Sequence, residues 1–256
     1  MAWQIRSRLF REVEYNWING SKLLVRRGMT GATGNIYCGL HEFADMAFFV
    51  HLLRDDDLFV DVGANIGSYT VLAAAVAGAH AICVEPDSGT AQSLRRNIEI
   101  NKLQHRVEVV EAALGASSGT VRFTLGLDTE NRVASSSEGG LVTAVPLRTL
   151  DEVVGLRQPL AIKLDVEGFE EQVLLGATTT LALPSLLAVE SENSSPAVNE
   201  CLAAHGFLRA FYNPFSRALE DRPSLPSANA LFIRERKFIA DRLKSALRIE
   251  VYGHKF

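Results

Sequence analysis

The sequence predicts an α/β domain, a mostly parallel central sheet with helices on both faces. Three observations predict it. Short apolar runs of strand length alternate with helix-length segments from Leu58 to Ile233. The runs LFVDV, AICVE and LLAVE are apolar throughout before an acidic end, as central parallel strands covered on both sides require. Their acidic ends also fall where an open α/β sheet keeps its ligand crevice, outside the carboxyl ends of the strands.

Taken in order, the expected strands are Leu58–Val62, Ala81–Glu85, Val107–Glu111, Leu160–Asp165, Leu186–Glu190, Leu208–Tyr212 and Ala230–Ile233. The helices between them are Ser68–Ala77, Ser88–Asn101, Glu170–Leu181 and Ala197–His205, the last closed by Gly206. GTVRFTL and LVTAVPL form a candidate antiparallel pair, joined by the polar linker DTENRVASSSEGG. Ahead of the sheet, EFADMAFFVHLL puts Phe43, Met46, Ala47, Val50 and Leu53 on one helical stripe, which packs on the core or roofs a pocket. Behind it, Phe238, Ile239, Leu243, Ala246 and Leu247 share a face of a basic amphipathic helix. The chain therefore divides into an extension, residues 1–55, placed to cover the substrate pocket, a domain at 56–234 and a basic tail at 235–256.

At 256 residues, 47% apolar and 22% charged, the composition is that of an ordinary globular chain. Cys38, Cys83 and Cys201 are odd in number and lack C-x-x-C spacing, so they read as thiols in a reducing compartment. The first residues contain no uninterrupted apolar leader, and the longest apolar stretch is too short to span a bilayer. A cytoplasmic protein is expected. The net charge of −4 is uneven: residues 1–27 hold six Lys/Arg against two Asp/Glu, residues 234–256 hold seven against three, and the middle is strongly acidic. The acidic body disfavours nucleic acid, because binding a phosphate backbone relies on Lys and Arg. The basic ends suit solvated helix faces, weak membrane-surface contact or a homodimer.

The first turn, DVGANIGSYT, decides the ligand class. A dinucleotide fingerprint G-x-G-x-x-G counted from Gly63 needs glycine at Asn65 and Ser68, and neither is one. The P-loop pattern fails too, because Gly63 and Gly67 are one residue too close and no lysine follows. A tight turn flanked by Asp61 suits a ligand with an amino group and positive charge. Glu85, 24 residues later, stands near the spacing at which an acid grips ribose hydroxyls. Ala112 and Ala113 in EAALG leave room for a flat base. An unphosphorylated adenosine carrying a cationic amino acid is S-adenosylmethionine.

FVDVGANIGSYT, VEPD, EAALG, LAIKLDVEGFEEQVLLGA and ANALFI together resemble the FkbM-type S-adenosylmethionine-dependent methyltransferases over roughly residues 36–234. The resemblance implies a class I methyltransferase fold with seven strands in the order 3-2-1-4-5-7-6. It also implies O-methylation of sugars, polyketides or other secondary metabolites. Carried over, Asp61, Gly63, Ala64, Asn65, Gly67, Ser68 and Tyr69 fall in the first motif around the methionine part of the cofactor. Glu85 with Pro86 falls at the ribose, Ala112 and Ala113 fall beside the adenine, and Asp165 faces the same crevice.

Catalytic candidates come from the fourth strand. Lys163 and Asp165, two apart, share a face, and Glu167 and Glu190 end nearby. A hydroxyl acceptor needs a general base, and Asp165, Glu167 or Glu190 could serve, with Lys163 holding a carboxylate or steering an acidic substrate. A structural Lys163–Asp165 pair with Glu167 capping the next helix is the plain alternative. Magnesium between Asp165 and Glu190 is conceivable, but nothing in the spacing demands it and no metal is expected. His41 is the best histidine candidate. YNPFS, after the sixth strand, reads as a turn. A non-catalytic cofactor-binding module and an NAD-dependent oxidoreductase remain the competing readings.

Overall fold

A computed structural model describes residues 2–126, 131–134, 140–227, 229–246 and 248–256. The central sheet has eight strands: β1 (Leu58–Val62), β2 (His80–Val84), β3 (Val107–Val110), β4 (Ala161–Leu164), β5 (Ala188–Ser191), β6 (Leu208–Asn213), β7 (Ala218–Glu220) and β8 (Ala230–Ile233). They lie in the order β7-β6-β8-β5-β4-β1-β2-β3. Strands β1 to β5 pair in parallel, whereas β8 runs antiparallel between β5 and β6. The seven strands expected from sequence are present, and the short β7 adds an eighth at the edge. It is reached from β6 by a turn in which Asn213 Oδ1 accepts from the backbone of Phe215 and Ser216, so YNPFS is indeed a turn.

Strand alternation divides the core in two. Phe59, Ala161 and Ala188 point to one face, together with Tyr69, Leu72 and Tyr212. Val60, Val62, Ile162, Leu164 and Val189 point to the other, against Val153, Leu174 and Leu202 of the helices on that side. The first face is closed by the extension and the tail. Helix Phe43–Leu52 is buried from Ala44 to Leu52, so it is a core helix enclosed on all sides rather than one with a single apolar stripe. The helix Arg236–Ser245 packs beside it through Ile239 and Leu243, and Arg242 ties it to the start of β1 through Asp57 and the carbonyl of Leu52. Packing against the domain is thus what this helix does. Leu247 lies outside the described residues.

Two helices differ from expectation. Ser68–Ala77 begins as an α-turn and widens, Ala77 bonding back five residues to Leu72. Glu170–Leu181 is broken into Glu170–Leu175 and Thr178–Leu181, because the chain tightens at Gly176 and Ala177 into three-residue bonds to Val173 and Leu174. The expected antiparallel pair is real: Gly119–Thr124 pairs with Val142–Arg148, and Ala113–Leu114 joins the latter in parallel. Of the linker between them, residues 128–130 and 135–139 lie outside the described residues. No helix among the described residues is long and apolar enough to cross a membrane.

Candidate functional site

The chemistry-bearing residues converge because three parallel strands place one polar residue each at the same level. Asp61 of β1 pairs in register with Lys163 of β4, which pairs with Glu190 of β5. All three project from the face covered by the extension, a polar row in an otherwise apolar layer. Lys163 is 2% exposed, bonds Asp165 Oδ2 at 2.5 Å and sits 4.6 Å over the ring of Tyr69. Burial alone pulls its ammonium down, but Asp165, Asp61, Glu42 and Glu190 around it win and raise it, so it stays charged. Replacing it with methionine should cost about 3–5 kcal/mol, the usual penalty for stripping one partner from a buried ion pair, read as a fall in thermal midpoint at pH 7.

The first turn is shaped by contact as much as by ligand. Gly63 has φ +76°, and a Cβ there would lie 1.7 Å from the carbonyl oxygen of Asp165. The turn after β1 therefore rides directly on the end of β4. Asn65 takes the left-handed conformation at φ 51°, steadied by its own Oδ1, which accepts from Ile66 N at 2.7 Å. That twist aims the Asn65 backbone N–H at Glu85 Oε2, 3.0 Å away, while Asp87 N–H donates to Oε1 at 2.9 Å. Glu85 is thus fixed at the tip of β2, 7% exposed. Burial pushes its carboxyl up to about 7, the two backbone donors resisting.

Two cavities meet at this turn. The first, about 750 Å³, is lined by Gly63, Asn65, Glu85, Pro86, Ala112 and Ala113, with Phe123, Val133 and Phe169 as apolar walls. The second, about 840 Å³, is lined by Asp61, Ala64, Ser68, Tyr69, Lys163 and Glu192, with Asn35, His41, Glu42 and Met46 from the extension. Gly63, Asn65, Asp165 and Glu167 border both. Gly67 borders neither; its φ of +90° heads the next helix, where a Cβ would meet Leu94. Its role is the turn itself.

Glu190 does not reach this crevice. It is 1% exposed and held by Asn229 Nδ2 at 2.6 Å, with the Tyr69 hydroxyl beside it, and the second cavity does not include it. Tyr69 stands in front of it and donates to Glu42 Oε2 at 2.6 Å, so the expectation of Glu190 as a base or magnesium ligand is corrected. Burial, with Asp45 beside it, also raises its carboxyl well above the usual range. Glu167 does not cap the following helix, which starts without a side-chain cap; Glu170 Oε1 instead accepts from Val166 and Gly168 in the turn ahead of it. Glu167 takes a left-handed backbone at φ 53° on the rim of both cavities.

Sequence reasoning missed Glu192. The ladder runs one step past Ser191↔Leu164, Glu192 N–H donating to Leu164 O at 2.9 Å, which stands Glu192 beside Asp165. Carboxylate oxygens of Asp165, Glu167 and Glu192 lie within 4.8 Å of one another, a spacing a divalent cation would fit. Aligning the ends of the strands, KLDVE against VESE, was the available signal. Asn35 was also missed: it donates to Ser68 Oγ at 3.1 Å and accepts from His41 N, tying the extension to the first turn. Nothing in its local sequence marks it.

Comparison with known proteins now fits the geometry. The Methyltransferase FkbM domain matches residues 61–218, from Asp61 to the start of β7, and takes in the whole lining of the first cavity. The chain belongs to the FkbM methyltransferase family. The donor of this family is S-adenosylmethionine. A hexuronic acid methyltransferase, AglP, from Haloferax volcanii is 30% identical over 142 residues, 54% of this chain and 56% of the relative, so the match spans little more than half of the relative's length. Among solved structures, a putative transferase from Pyrococcus horikoshii aligns over 87% of this FkbM chain and 70% of its own, with 12% identity and TM-score 0.49. M. jannaschii TYW2 in complex with AdoMet aligns over 88% and 87%, with 14% identity and TM-score 0.46.

Proposed function

We propose that this FkbM-family chain transfers a methyl group from S-adenosylmethionine to a hydroxyl oxygen of a sugar, a glycoconjugate or a secondary metabolite. The observation that carries the reading is Glu85: two backbone N–H groups hold its carboxylate at the strand tip, one oxygen each, with its remaining lone pairs facing a cavity that has apolar walls. A carboxylate so placed accepts from both hydroxyls of a ribose, and the Ala112, Ala113, Phe123 and Phe169 surfaces match an adenine. Asp61 adds a buried oxygen, Oδ1, with no partner, on the wall of the adjoining cavity, where a ligand ammonium would satisfy it. The residues present fit the cofactor.

When bound, the cofactor supplies an electrophilic methyl on a positively charged sulfur. This chain's residues hold the donor across the shared turn and hold the acceptor in the second cavity, so most of the rate comes from positioning. Lys163, tied to Asp165, keeps that carboxylate in one orientation at the boundary of the two cavities. Helix Phe43–Leu52 and the residues before it border the second cavity through His41, Glu42 and Met46. The AglP similarity supports a saccharide acceptor.

The experiment is incubation with methyl-labelled donor and fractionated glycolipids, saccharides and small hydroxylated metabolites. Base-stable label, an ether rather than an ester, in a saccharide or metabolite fraction is expected. Label only in protein or RNA overturns the acceptor class. Donor affinity should also depend on pH. Ribose hydroxyls bind the ionised Glu85, whose carboxyl sits at about 7 before binding, so affinity is full above pH 7 and falls about tenfold per unit below it. Calorimetric titrations at pH 8, 7 and 6 check this.

A further inference from the structure

The extension carries an exposed face that the two cavities do not use. Helix Ala2–Leu9 lies on the body through Trp3, which packs against the cluster of Leu23, Val25, Met29 and Ile36. At about 100° per residue, Ile5 and Leu9 then fall on the opposite side of the helix, with Arg8 to one side of them and Arg6 to the other. That side is bare: Ile5 and Leu9 are 58% and 72% exposed, and Phe10, next in the chain, is 59% exposed. Exposed Arg11 follows, and exposed Arg26 and Arg27 approach from the neighbouring segment, Arg27 Nε donating to Ser7 Oγ at 3.3 Å. A groove of about 730 Å³ lies beside the helix, lined by Gln4, Ser7 and Arg8 and by Arg27, Thr33 and Tyr37. The two carboxylates of residues 1–27 are both taken, Glu12 by Arg96 and Glu14 by Lys22. Arg6, Arg8, Arg11, Arg26 and Arg27 are therefore left without a carboxylate partner among the described residues.

We propose that this face docks the protein on an anionic membrane surface, with Ile5, Leu9 and Phe10 entering the headgroup boundary and the arginines meeting lipid phosphates. An aliphatic stripe flanked on both sides by cations is the arrangement that an interfacial helix needs. A nucleic-acid backbone would use the arginines but leave Ile5 and Leu9 wet, because bases stack on aromatic planes rather than on aliphatic branches. A second copy of this chain across a two-fold axis would set the same unpaired arginines against one another. Anionic headgroups over an acyl boundary satisfy the cations and the apolar side chains together. The helix is short, so the docking is reversible and sensitive to salt. Ala32 and Ile66 of the cluster beneath Trp3 also border the second cavity, so a docked protein holds that cavity one packed layer from the lipid. On the methyltransferase reading above, a glycolipid is then the acceptor that this face serves.

Neither methyl donor nor acceptor is needed to test the docking, so its failure leaves the methyl-transfer reading standing. The protein is sedimented at low ionic strength with vesicles of phosphatidylcholine alone and of phosphatidylcholine mixed equally with phosphatidylglycerol. Binding to the mixed vesicles only, weakening as salt rises, is expected. Each arginine at an anionic surface raises affinity roughly fivefold, so Arg6→Gln combined with Arg8→Gln lowers it by roughly 25-fold. Ile5→Ser combined with Leu9→Ser lowers it by roughly tenfold or more, because both lose their apolar burial in the lipid. All four side chains are substantially exposed, so the thermal midpoint stays at the wild-type value. Lys237→Gln combined with Lys244→Gln removes the same charge from exposed positions of helix Arg236–Ser245 and leaves binding unchanged. No binding, equal binding to the two kinds of vesicle, or an equal loss in the lysine pair overturns the proposal. Binding of duplex RNA that the arginine pair abolishes and the Ile5–Leu9 pair leaves intact overturns it in favour of a phosphate backbone. A dimer that the Ile5–Leu9 pair dissolves overturns it in favour of a second copy.

Discussion

Glu85→Ala is expected to weaken S-adenosylmethionine binding by at least 100-fold while leaving the fold intact. The carboxylate offers two charge-assisted acceptors to the ribose, each worth about 1.5–3 kcal/mol, so losing both exceeds the about 2.7 kcal/mol that a 100-fold change represents. The alanine leaves the N–H groups of Asn65 and Asp87 facing the cavity, where water can replace the lost oxygen atoms. Glu85→Gln is the sharper variant. Its amide nitrogen must face either a backbone donor or a ribose hydroxyl, so it forfeits one acceptor and sets a donor against Asn65 or Asp87. Calorimetric affinities in the order wild type, Gln, Ala, with far-UV circular dichroism unchanged, are the expected outcome. Equal affinity for all three would remove Glu85 from the site.

Gly63→Ala should be the most damaging single methyl group in the domain. The added carbon meets backbone, the Asp165 carbonyl at 1.7 Å, and no side chain can swing away to admit it. An L-residue at that positive φ adds roughly 1–2 kcal/mol of its own. Either the turn lifts from β4, which separates the two cavities' shared border, or the variant fails to fold. Loss of donor binding together with a thermal midpoint lowered by at least several degrees, or insoluble protein, is expected. Gly119→Ala, where nothing lies within 4 Å of the added carbon, is the control and should behave as wild type.

Both variants act on features that were legible in the sequence. The apolar runs ending in acid located β1, β2 and β5, and local spacing was enough to mark Gly63, Asn65 and Glu85, because a strand, its turn and the next strand form one contiguous unit. What was not legible came from register and from distant chain. Glu192 matters because β5 is aligned with β4 so that it stands beside Asp165, and register between strands 27 residues apart is not written in either segment alone. The same register hid the error over Glu190, which points at Lys163 but lies behind Tyr69. Asn35, Glu42, Phe123 and Phe169 reach the cavities from the extension, from the added strands and from the loop after β4. Helix Phe43–Leu52 read as one-sided because its neighbours, the sheet and the C-terminal helix, enclose it from directions its own periodicity cannot report.

The central claim is that the crevice above β1 and β2 takes an unphosphorylated, positively charged adenosine derivative and refuses a diphosphate. Competitive calorimetry tests it most directly: titrate S-adenosylmethionine into the protein at pH 8, alone and in the presence of millimolar NAD. The account predicts one saturable site for the methyl donor, unmoved by NAD. Heat from NAD with none from the methyl donor, or displacement of the donor by NAD, would contradict it.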